Sequence, residues 1–397
     1  PGQTTIASLL KTGIPVVSAA LADACGQSPA EKANDASAGA GSPDLVDRRN
    51  RFLGESLELS YDKPLHLISG RGVWLFDRDG RRYLDAYNNV AHVGHCHPQV
   101  VSAIEKQART LNTNTRYLHG KIVQLAERIA SSMPGDLSVC MFVCTGSEAN
   151  DLAWRIAHSV TGNSGAIVTE KAYHGNTTAV TELSPEEMTE RQPDPWVETV
   201  PAPDTYRMDL DDRGSGSSHF EPAIGQLEAR GHRLAAFMYD TIYSSDGIFL
   251  PPEAYLQSVF DVVRAAGGLC IADEVQAGFG RTGNVMWGFE RQQVMPDIVT
   301  LGKPMGNGHP IAAVVTTPDI ANRFNRDQYY FNTFGGNPVS AAAGLAVLDV
   351  LERESLLENA VNSGDHLRAC LHELASHHEA IGDIRGAGLF TGLELVS

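Results

Sequence analysis

The chain has 397 residues, of which 42% are hydrophobic and 20% charged, a composition typical of a globular protein with a large core and two domains. Its formal net charge of −17 argues against a nucleic-acid partner, which requires clustered Lys and Arg, and no apolar run is long enough to span a bilayer. The start, PGQTTIASLL, lacks a basic signal-peptide region, and the six cysteines include no C-x-x-C pair, so we expect a cytoplasmic protein with reduced thiols.

The first predicted elements are an extension, a hairpin and two helices. Residues 1–50 are predicted to be a loose N-terminal extension, since 25–50 are rich in Ala, Ser, Gly and Asp. The stretch GVWLFDRDGRRYLDAYN then predicts a hairpin that turns at DRDG. HPQVVSAIEKQARTL, with a proline near its first turn, and HGKIVQLAERIASSM are predicted helices.

From Leu137 onward, short apolar runs alternate with helical segments. The predicted strands are SVCMFV, GAIVTE, LAAFMYD, GLCIADEV, DIVTLG and IAAVVTT, and helices such as GSEANDLAWRIAHS and EAYLQSVFDVVRAAG separate several of them. This order predicts an α/β fold with a mostly parallel sheet covered on both faces. Cys140 and Cys144 fall on one face of a predicted strand and are expected to be buried thiols.

The last part of the chain predicts helices and a final strand. It becomes helical from about Asn337 and ends in GLFTGLELVS, which reads as a strand. We expect a large domain over 96–334 and a small discontinuous α+β domain formed by 51–95 and 335–397.

Four polar features follow predicted strands, where open α/β sheets place their ligand crevices. TGSEAN puts Gly146 and Ser147 at the start of a helix, whose free N–H groups favour an anion, although a serine there is more often a simple helix cap. Tyr173 and His174 follow GAIVTE, and an aromatic ring in that place can stack on a flat ligand. A partly buried tyrosine in a turn is the more common case.

The other two features are an acid and a lysine. Asp273 ends an apolar strand and needs a partner there, either a protonated pyridine nitrogen or an internal ion pair. Lys303 lies among glycines and prolines in TLGKPMGNGHP, which let the chain pass close to a cofactor. Pyridoxal 5′-phosphate (PLP) requires an anion site, a stacking ring, an acid and a lysine, so together the four features predict a PLP enzyme.

Two further motifs are interpreted as structural. The G-x-G-x-x-G pattern in AGFGRTG follows the polar residues DEVQ and opens no clear helix, so it does not predict a dinucleotide site. His92, His95, Cys96 and His97 lie too close together in HVGHCHP to point at one metal ion. No metal site is predicted.

TGSEAN, YHGNT, ADEVQAGFGRTG, LGKPMGNGHPIAAV and TFGGNP together resemble the class III aminotransferases of PLP fold type I, from about Leu65 to the end. The resemblance implies that Lys303 is the Schiff-base lysine and that Asp273 pairs with the ring nitrogen. The other implied cofactor contacts are Gly146 and Ser147 at the phosphate, Tyr173 and His174 at the ring, and Gln276 near the ring hydroxyl. A homodimer with active sites at the subunit interface is also implied, with Thr333 reaching the phosphate of the partner's cofactor.

Some motifs are most similar to the ethanolamine-phosphate phospho-lyase branch and its relative acting on phosphohydroxylysine. They are YNNVAHVGHCHPQV, LNTNTRYLH, FNTFGGNPVSAAAGLAVLDVL and MGNGHP, which stands where typical members have GG-x-P. That branch eliminates phosphate, which implies conversion of ethanolamine phosphate to acetaldehyde, ammonia and phosphate. The alternative is a class III transaminase that acts on an ω-amine or amino acid with a keto-acid acceptor. A third alternative, a cofactor-free binding protein of this fold, is disfavoured by Lys303 and Asp273.

Three residues are candidates for contact with a small phosphoamine substrate. Arg116 in NTNTRYLH and Arg385 in DIRGAGLF would bind its phosphate, and for each the alternative is a surface or structural ion pair. Asn89 is the third candidate. The family normally continues beyond the terminal LELVS through more of the small domain.

Overall fold

The computed structural model describes residues 42–188, 191–208, 210 and 216–396. Most of the predicted N-terminal extension therefore lies outside the described residues. Its last part is a helix, α1 (Ser42–Leu53), where the composition of 25–50 predicts a loose segment. Within α1 there is no glycine, and its one proline stands at the second position, where a helix tolerates it.

A three-stranded antiparallel sheet follows, made of β1 (Leu67–Arg71), β2 (Trp74–Asp77) and β3 (Arg82–Leu84). Strands β2 and β3 form the predicted hairpin, and β1 was not predicted. The carboxylate of Asp77 stabilises the hairpin turn, because it accepts hydrogen bonds from the N–H groups of Asp79 and Arg81 at 3.0 and 2.8 Å. The two predicted helices come next as α2 (Pro98–Ala108) and α3 (Gly120–Ser132).

The main sheet has seven strands in the described part of the chain. They are β4 (Val139–Val143), β5 (Gly165–Thr169), β6 (Val197–Val200), β7 (Leu234–Asp240), β8 (Leu269–Asp273), β9 (Ile298–Leu301) and β10 (Ala312–Thr316). Their order is β4-β10-β9-β8-β7-β5-β6. Only the pairs that contain β10 are antiparallel, and β10 lies between β4 and β9. The prediction of a mostly parallel sheet is confirmed.

Helices cover the main sheet and complete the fold. They are α4 (Gly146–Thr161), α5 (Thr178–Glu182), α6 (Ser217–Ala229), α7 (Tyr255–Ala265), α8 (Pro318–Asp327), α9 (Pro338–Arg353) and α10 (Leu356–Ala375). The final antiparallel pair is β11 (Ile381–Ala387) with β12 (Phe390–Leu395). In the described ranges, no helix has both the length and the apolar character needed to cross a membrane.

Strand β7 illustrates how the sheet divides the core into two layers. All seven of its residues are buried, and alternate side chains enter opposite layers. Phe237 and Tyr239 pack in the layer that contains Phe260 of α7. Met238 packs in the layer that contains Leu152 of α4. With apolar contacts on both faces, the parallel strands read in the sequence as continuous apolar runs, which is why they could be predicted.

The division into two domains stays a prediction. Helix α9, assigned to the small domain, packs against α2 and α3 of the predicted large domain. The feature that matters for the site is the carboxyl edge of the main sheet, where the chain leaves β4, β5, β7, β8 and β9.

Candidate active site

Adjacent strands bring an acid pair and the lysine to the carboxyl edge of the main sheet. Asp273, the last residue of β8, lies in register beside Asp240, the last residue of β7. On its other side, Asp273 is in register with Thr300 of β9. Lys303 follows two residues after the end of β9 and begins a short 3-10 helix, Lys303–Gly306. The strand order therefore sets Asp273 and Lys303 near each other.

Asp273 is a buried carboxylate surrounded by hydrogen-bond donors. Its Oδ2 accepts a hydrogen bond from Nδ2 of Asn150 at 2.8 Å and lies 2.7 Å from Nδ1 of His174. Its Oδ1 accepts from the N–H of Val275 at 3.0 Å and lies 3.4 Å from Oγ1 of Thr300, whose one proton goes to Asn150. Donors on both oxygens hold the carboxyl group in a fixed orientation.

Asn150 is a site residue that sequence reasoning missed. It is 1% exposed, and its Nδ2 also donates to the carbonyl of His174 at 2.7 Å while its Oδ1 accepts from Thr300 at 2.6 Å. Its amide thus orients Asp273, His174 and Thr300 together. A signal was present in the sequence: Asn150 is a polar residue on the face of α4 that otherwise carries Ala149, Ala153 and Ala157.

His174 contacts the acid and not an exposed surface. Its side chain is fully buried, and its backbone N–H donates to Oγ of Ser184 at 2.9 Å. With Asp273 ionised, Nδ1 of His174 carries the proton of their hydrogen bond. Its Nε2 is buried without a hydrogen-bond partner among the described residues. Tyr173, beside it, is half-buried, and burial raises the pKa of its phenol, with smaller contributions from Glu187 and Asp273.

Three chain segments converge at the start of α4, the predicted phosphate site. Ser147 Oγ accepts the backbone N–H of Asn176, which follows β5, at 3.2 Å. A Cβ on Gly175, whose φ is +136°, would lie 2.5 Å from Ser147 Oγ. A Cβ on Gly302 would lie 3.4 Å from Cα of Gly146. These glycines let the three segments approach one another closely at a helix N-terminus, and we call this group of segments the cradle.

Lys303 lies in an environment that lowers the pKa of its amine. Burial lowers the pKa of its amine, and the charges of Asp273 and Asp240 act in the opposite direction. A lysine with a lowered pKa is a better proton acceptor near neutral pH than an exposed one, because more of it is unprotonated.

Gln276 and Asn89, predicted at the ring hydroxyl and the substrate, are brought together. Gln276 lies in the turn after β8, and its Oε1 accepts from Nδ2 of Asn89 at 2.6 Å. Asn89 belongs to the loop that follows β3, so this bond ties the N-terminal segment to the edge of the main sheet.

Thr333 and Arg116 lie on exposed segments. The neighbour of Thr333, Asn332, donates from Nδ2 to Oε1 of Glu148 in the first turn of α4 at 3.2 Å. The guanidinium of Arg116 lies 4.1 Å from the ring centre of Phe331. In the described part of the chain, no acidic side chain forms an ion pair with Arg116. Its Nη2 donates to the hydroxyl of Tyr329 at 3.5 Å.

Arg385 is already engaged in ion pairs. Its Nη1 lies 3.0 Å from Asp383 and its Nη2 2.9 Å from Glu394, and its Nε donates to the carbonyl of Gly247 at 2.9 Å. The guanidinium also lies 4.7 Å from the ring centre of Phe249. The role of Arg385 in phosphate binding stays a prediction, and these contacts favour the structural alternative.

The motifs interpreted as structural have separate partners. The histidines of HVGHCHP bond to the carbonyl of Phe279, to Asp85 and to Glu354, respectively. Within the described residues, no group of His, Cys, Asp and Glu has a geometry that could hold a metal ion.

The AGFGRTG glycines lie in turns, and the chain continues from them into a 3-10 helix, Gly288–Gln292. The cysteines of the described chain are unpaired.

The cysteine prediction needs one correction. Cys140 and Cys144 are half-buried, where full burial was expected. Cys140 lies in β4, and burial raises the pKa of its thiol to about 12. Cys144 follows the end of β4, where the chain leaves the covered face of the sheet.

Comparisons with known proteins identify the family of the chain. Residues 60–397 match the family model "Aminotransferase class-III". The chain is 48% identical over 367 residues to the alanine--glyoxylate aminotransferase 2-like protein of Drosophila melanogaster, covering 89% of this chain and 74% of the relative. It is 40% identical over 374 residues to ethanolamine-phosphate phospho-lyase homolog 1 of Caenorhabditis elegans, covering 89% and 80%. A solved structure of an Arthrobacter phospholyase in complex with phosphoethanolamine superposes with a TM-score of 0.85 at 43% identity, covering 89% of this chain and 85% of that one.

The residues at the sheet edge fit the cofactor of that family, PLP. A Cβ on Gly146 would lie 2.9 Å from Cγ1 of Val275, so the start of α4 fits against that side chain only with a glycine there. Asp273 is buried and supplied with donors, and the pKa of Lys303 is lowered. The predicted fold, PLP fold type I, and the predicted cofactor are both confirmed. Because the family match spans residues 60–397 and the Drosophila relative is 48% identical, the chain belongs to the class III aminotransferases, a family of PLP-dependent enzymes.

Proposed function

We propose that the protein is a phospho-lyase that eliminates phosphate from a small phosphorylated amine. The leading substrate is ethanolamine phosphate, which would yield acetaldehyde, ammonia and phosphate. The observation that carries the proposal is the likeness to the Arthrobacter phospholyase, whose structure contains phosphoethanolamine, at 43% identity over 89% of this chain. The motifs YNNVAHVGH, NTNTRYLH and MGNGHP support the same branch of the family.

Lys303 and Asp273 would handle the proton and the charge. Freed when the substrate amine takes its place, the neutral amine of Lys303 removes a proton from the carbon that bears the substrate nitrogen. PLP, when bound, supplies the electron sink for the pair left on that carbon. Asp273 holds the ring nitrogen in its protonated form, and Asn150 and His174 hold Asp273.

Arg116 is the proposed binder of the leaving phosphate. Elimination breaks the bond between the neighbouring carbon and the phosphate oxygen, and the electron pair leaves with the phosphate as a carbon–carbon double bond forms. The unsaturated amine then takes up water and yields the aldehyde and ammonia. A cation next to the leaving group stabilises its growing negative charge. Arg116 has no acidic partner in the described chain, whereas Arg385 has two.

We also propose a homodimer in which Thr333 of each subunit contacts the partner's cofactor phosphate, and a cytoplasmic location. The exposure of Thr333 in the single chain supports the first, and the unpaired cysteines of the described residues support the second. Size-exclusion chromatography with light scattering tests the dimer. Cell fractionation tests the location.

The second candidate function is transamination. It is favoured by the 48% identity to the Drosophila alanine--glyoxylate aminotransferase 2-like protein. The same base and electron sink serve both reactions. A transaminase, however, returns the proton to the cofactor and needs a keto acid to regenerate it.

One experiment separates the two functions. The holoenzyme is incubated with ethanolamine phosphate and no keto acid, and phosphate, ammonia and acetaldehyde are measured over many turnovers. Equal amounts of all three support the lyase, and the Lys303→Ala variant should produce none. If turnover requires pyruvate or 2-oxoglutarate, and alanine or glutamate accumulates, the protein is a transaminase.

A further inference from the structure

Ser244 connects two groups at the edge of the main sheet. Its Oγ accepts a hydrogen bond from Nε2 of Gln276 at 2.5 Å and donates one to Oδ2 of Asp240. The backbone N–H of Ser244 donates to the same oxygen at 3.2 Å. Gln276 in turn accepts from Asn89 at 2.6 Å. These four side chains form one series of hydrogen bonds that runs from Asn89 to Asp240.

The direction of the series is set at Asp240, whose Oδ1 and Oδ2 face the N–H groups of Ile242 and Ser244 and therefore act as acceptors. Ser244 gives its one O–H to Asp240, so its oxygen remains to accept from Gln276. Gln276 must then present its NH2 group to Ser244 and its carbonyl oxygen to Asn89. A glutamine amide without such partners has two nearly equivalent orientations about its last torsion. The series removes this freedom.

The charges around Asp240 come from several segments. Asp273 faces it from β8 and Lys303 from the segment after β9, and Glu274 and Asp246 lie further out. Burial, and then the charge of Asp273, raise the pKa of Asp240, while its hydrogen bonds from Ser244 and from the N–H of Ile242 lower it. The two N–H donors, on Ile242 at 3.0 Å and on Ser244, keep the carboxylate oriented.

We propose that Ser244 is a positioning residue that fixes the Gln276 amide with its NH2 group as a donor to the ring oxygen of the cofactor. The inference rests on the proposed contact between Gln276 and that oxygen. Nε2 carries two hydrogens: Ser244 takes one, and the second is left for the cofactor. A reversed amide would offer a carbonyl oxygen in its place and repel a negatively charged ring oxygen.

The test is a pH titration of the visible absorbance of the holoenzyme, without substrate. A donor to the ring oxygen stabilises negative charge there and so lowers the proton affinity of the nearby nitrogen that joins Lys303 to the cofactor. In Ser244→Ala the donor is no longer held in place, so the pH midpoint should rise by about one unit, the size expected for one hydrogen bond to a charged group.

Two control variants test whether the shift comes from loss of the Ser244 hydroxyl and not from any serine-to-alanine change in this segment. Ser244→Thr keeps the hydroxyl and should keep the wild-type midpoint. Ser245→Ala makes the same change in the neighbouring half-buried residue, whose hydroxyl has no hydrogen-bond partner among the described residues, and should also leave the midpoint unchanged. A midpoint in Ser244→Ala equal to that of the wild type overturns the inference.

Two more variants test the route through Gln276. Asn89→Ala removes the donor at the other end of the series and should raise the midpoint, which keeps the test valid if Ser244→Ala does not fold. An unchanged midpoint in Asn89→Ala counts against the inference. In a Gln276→Ala background, Ser244→Ala should add no further shift, and a full additional shift would show that Ser244 acts by another route. Since no substrate is present, failure of the phosphate-release assay would reject the proposed function alone.

Discussion

Asp273 is a buried carboxyl group, and Asn150 is the residue that connects it to its neighbours. Of the donors around the carboxylate, the Asn150 amide is the one that also fixes His174 and Thr300. Its removal should therefore change the chemistry of the ring nitrogen, beyond the ordinary cost of losing a buried contact.

The prediction at the residue scale is that Asn150→Ala lowers kcat by roughly 10- to 100-fold, the loss expected for one hydrogen bond to a charged group. Steady-state phosphate release measures it. Asn163→Ala is the matched control, because Asn163 is also buried and donates from Nδ2 to the carbonyl of Leu234 at 2.8 Å, away from Asp273. Both variants should lose stability, but only Asn150→Ala should lose kcat. Equal kcat in the two variants would contradict this role.

At the scale of elements, Glu274 fastens the loop after β8 to the body of the protein. Its carboxyl group is fully buried and accepts hydrogen bonds at 2.8 Å from the N–H groups of Gly288 and Phe289. These two residues begin the 3-10 helix Gly288–Gln292. Burial raises the pKa of Glu274 to about 8, although these two hydrogen bonds act in the opposite direction.

The pH dependence follows from the sign of this shift. Between about pH 4.5 and pH 8 the folded state binds more of this proton than the unfolded state, so the contribution of Glu274 to stability falls as the pH rises. Glu274→Gln cannot titrate. We therefore expect the melting temperature of the variant to be lower than that of the wild type. The difference between the two should be largest at pH 5 and smallest at pH 8. Glu228→Gln, on the exposed side of α6, should show no such trend. A constant gap across this range would refute the prediction.

The cradle at the start of α4 depends on the segment after β5. We predict that Gly175→Ala weakens PLP binding by at least about tenfold, because the new Cβ would lie 2.5 Å from Ser147 Oγ and 2.8 Å from Ser147 Cα, at a φ of +136°. Equilibrium dialysis against PLP measures the change. Gly225→Ala in α6 is the control: no atom lies within 4 Å of its new Cβ, and alanine favours the helix. Native affinity in Gly175→Ala would refute the cradle.

The sequence predicted the inner strands of the main sheet and the polar residues at their ends, but it did not predict the half-buried strands or the residues that act through distant partners. The inner strands of the main sheet are continuous apolar runs and were predicted, as were Asp273 and Lys303 at their ends. Strand β11, IGDIRGA, mixes glycines and charges because it is half-buried in a two-stranded pair, and β6 is a short edge strand, so neither stood out. Asn150 and Ser244 act through partners 123 and 32 residues away, and such contacts leave no local pattern.

For the whole molecule, the proposed dimer makes each active site depend on two subunits. The prediction is tested by mixing two inactive variants. One carries Lys303→Ala. The other carries Thr333→Asp, which would place a negative charge next to the partner's cofactor phosphate. If Thr333 acts across the interface, the mixed dimer contains one intact site, formed by Lys303 of one subunit and Thr333 of the other, and about half of the wild-type activity per mixed dimer should return.

The control for this experiment is a single chain that carries both substitutions, mixed with Lys303→Ala. Its mixed dimers have no Lys303 in either site and should stay inactive. If the first mixture also stays inactive after subunit exchange, Thr333 serves its own subunit. If Thr333→Asp alone is fully active, Thr333 does not approach a phosphate.

Among the described strands of the main sheet, β10 is the one that runs antiparallel to its neighbours, and it is bonded both to β4, which leads to the cradle, and to β9, which leads to Lys303. Strand β10 therefore sets the distance between the cradle and Lys303. Asn89, Arg116 and Thr333, in contrast, lie in segments outside the sheet. If these three residues have the proposed roles, substitutions in the outer segments should change the choice of substrate while β4, β9 and β10 keep their places.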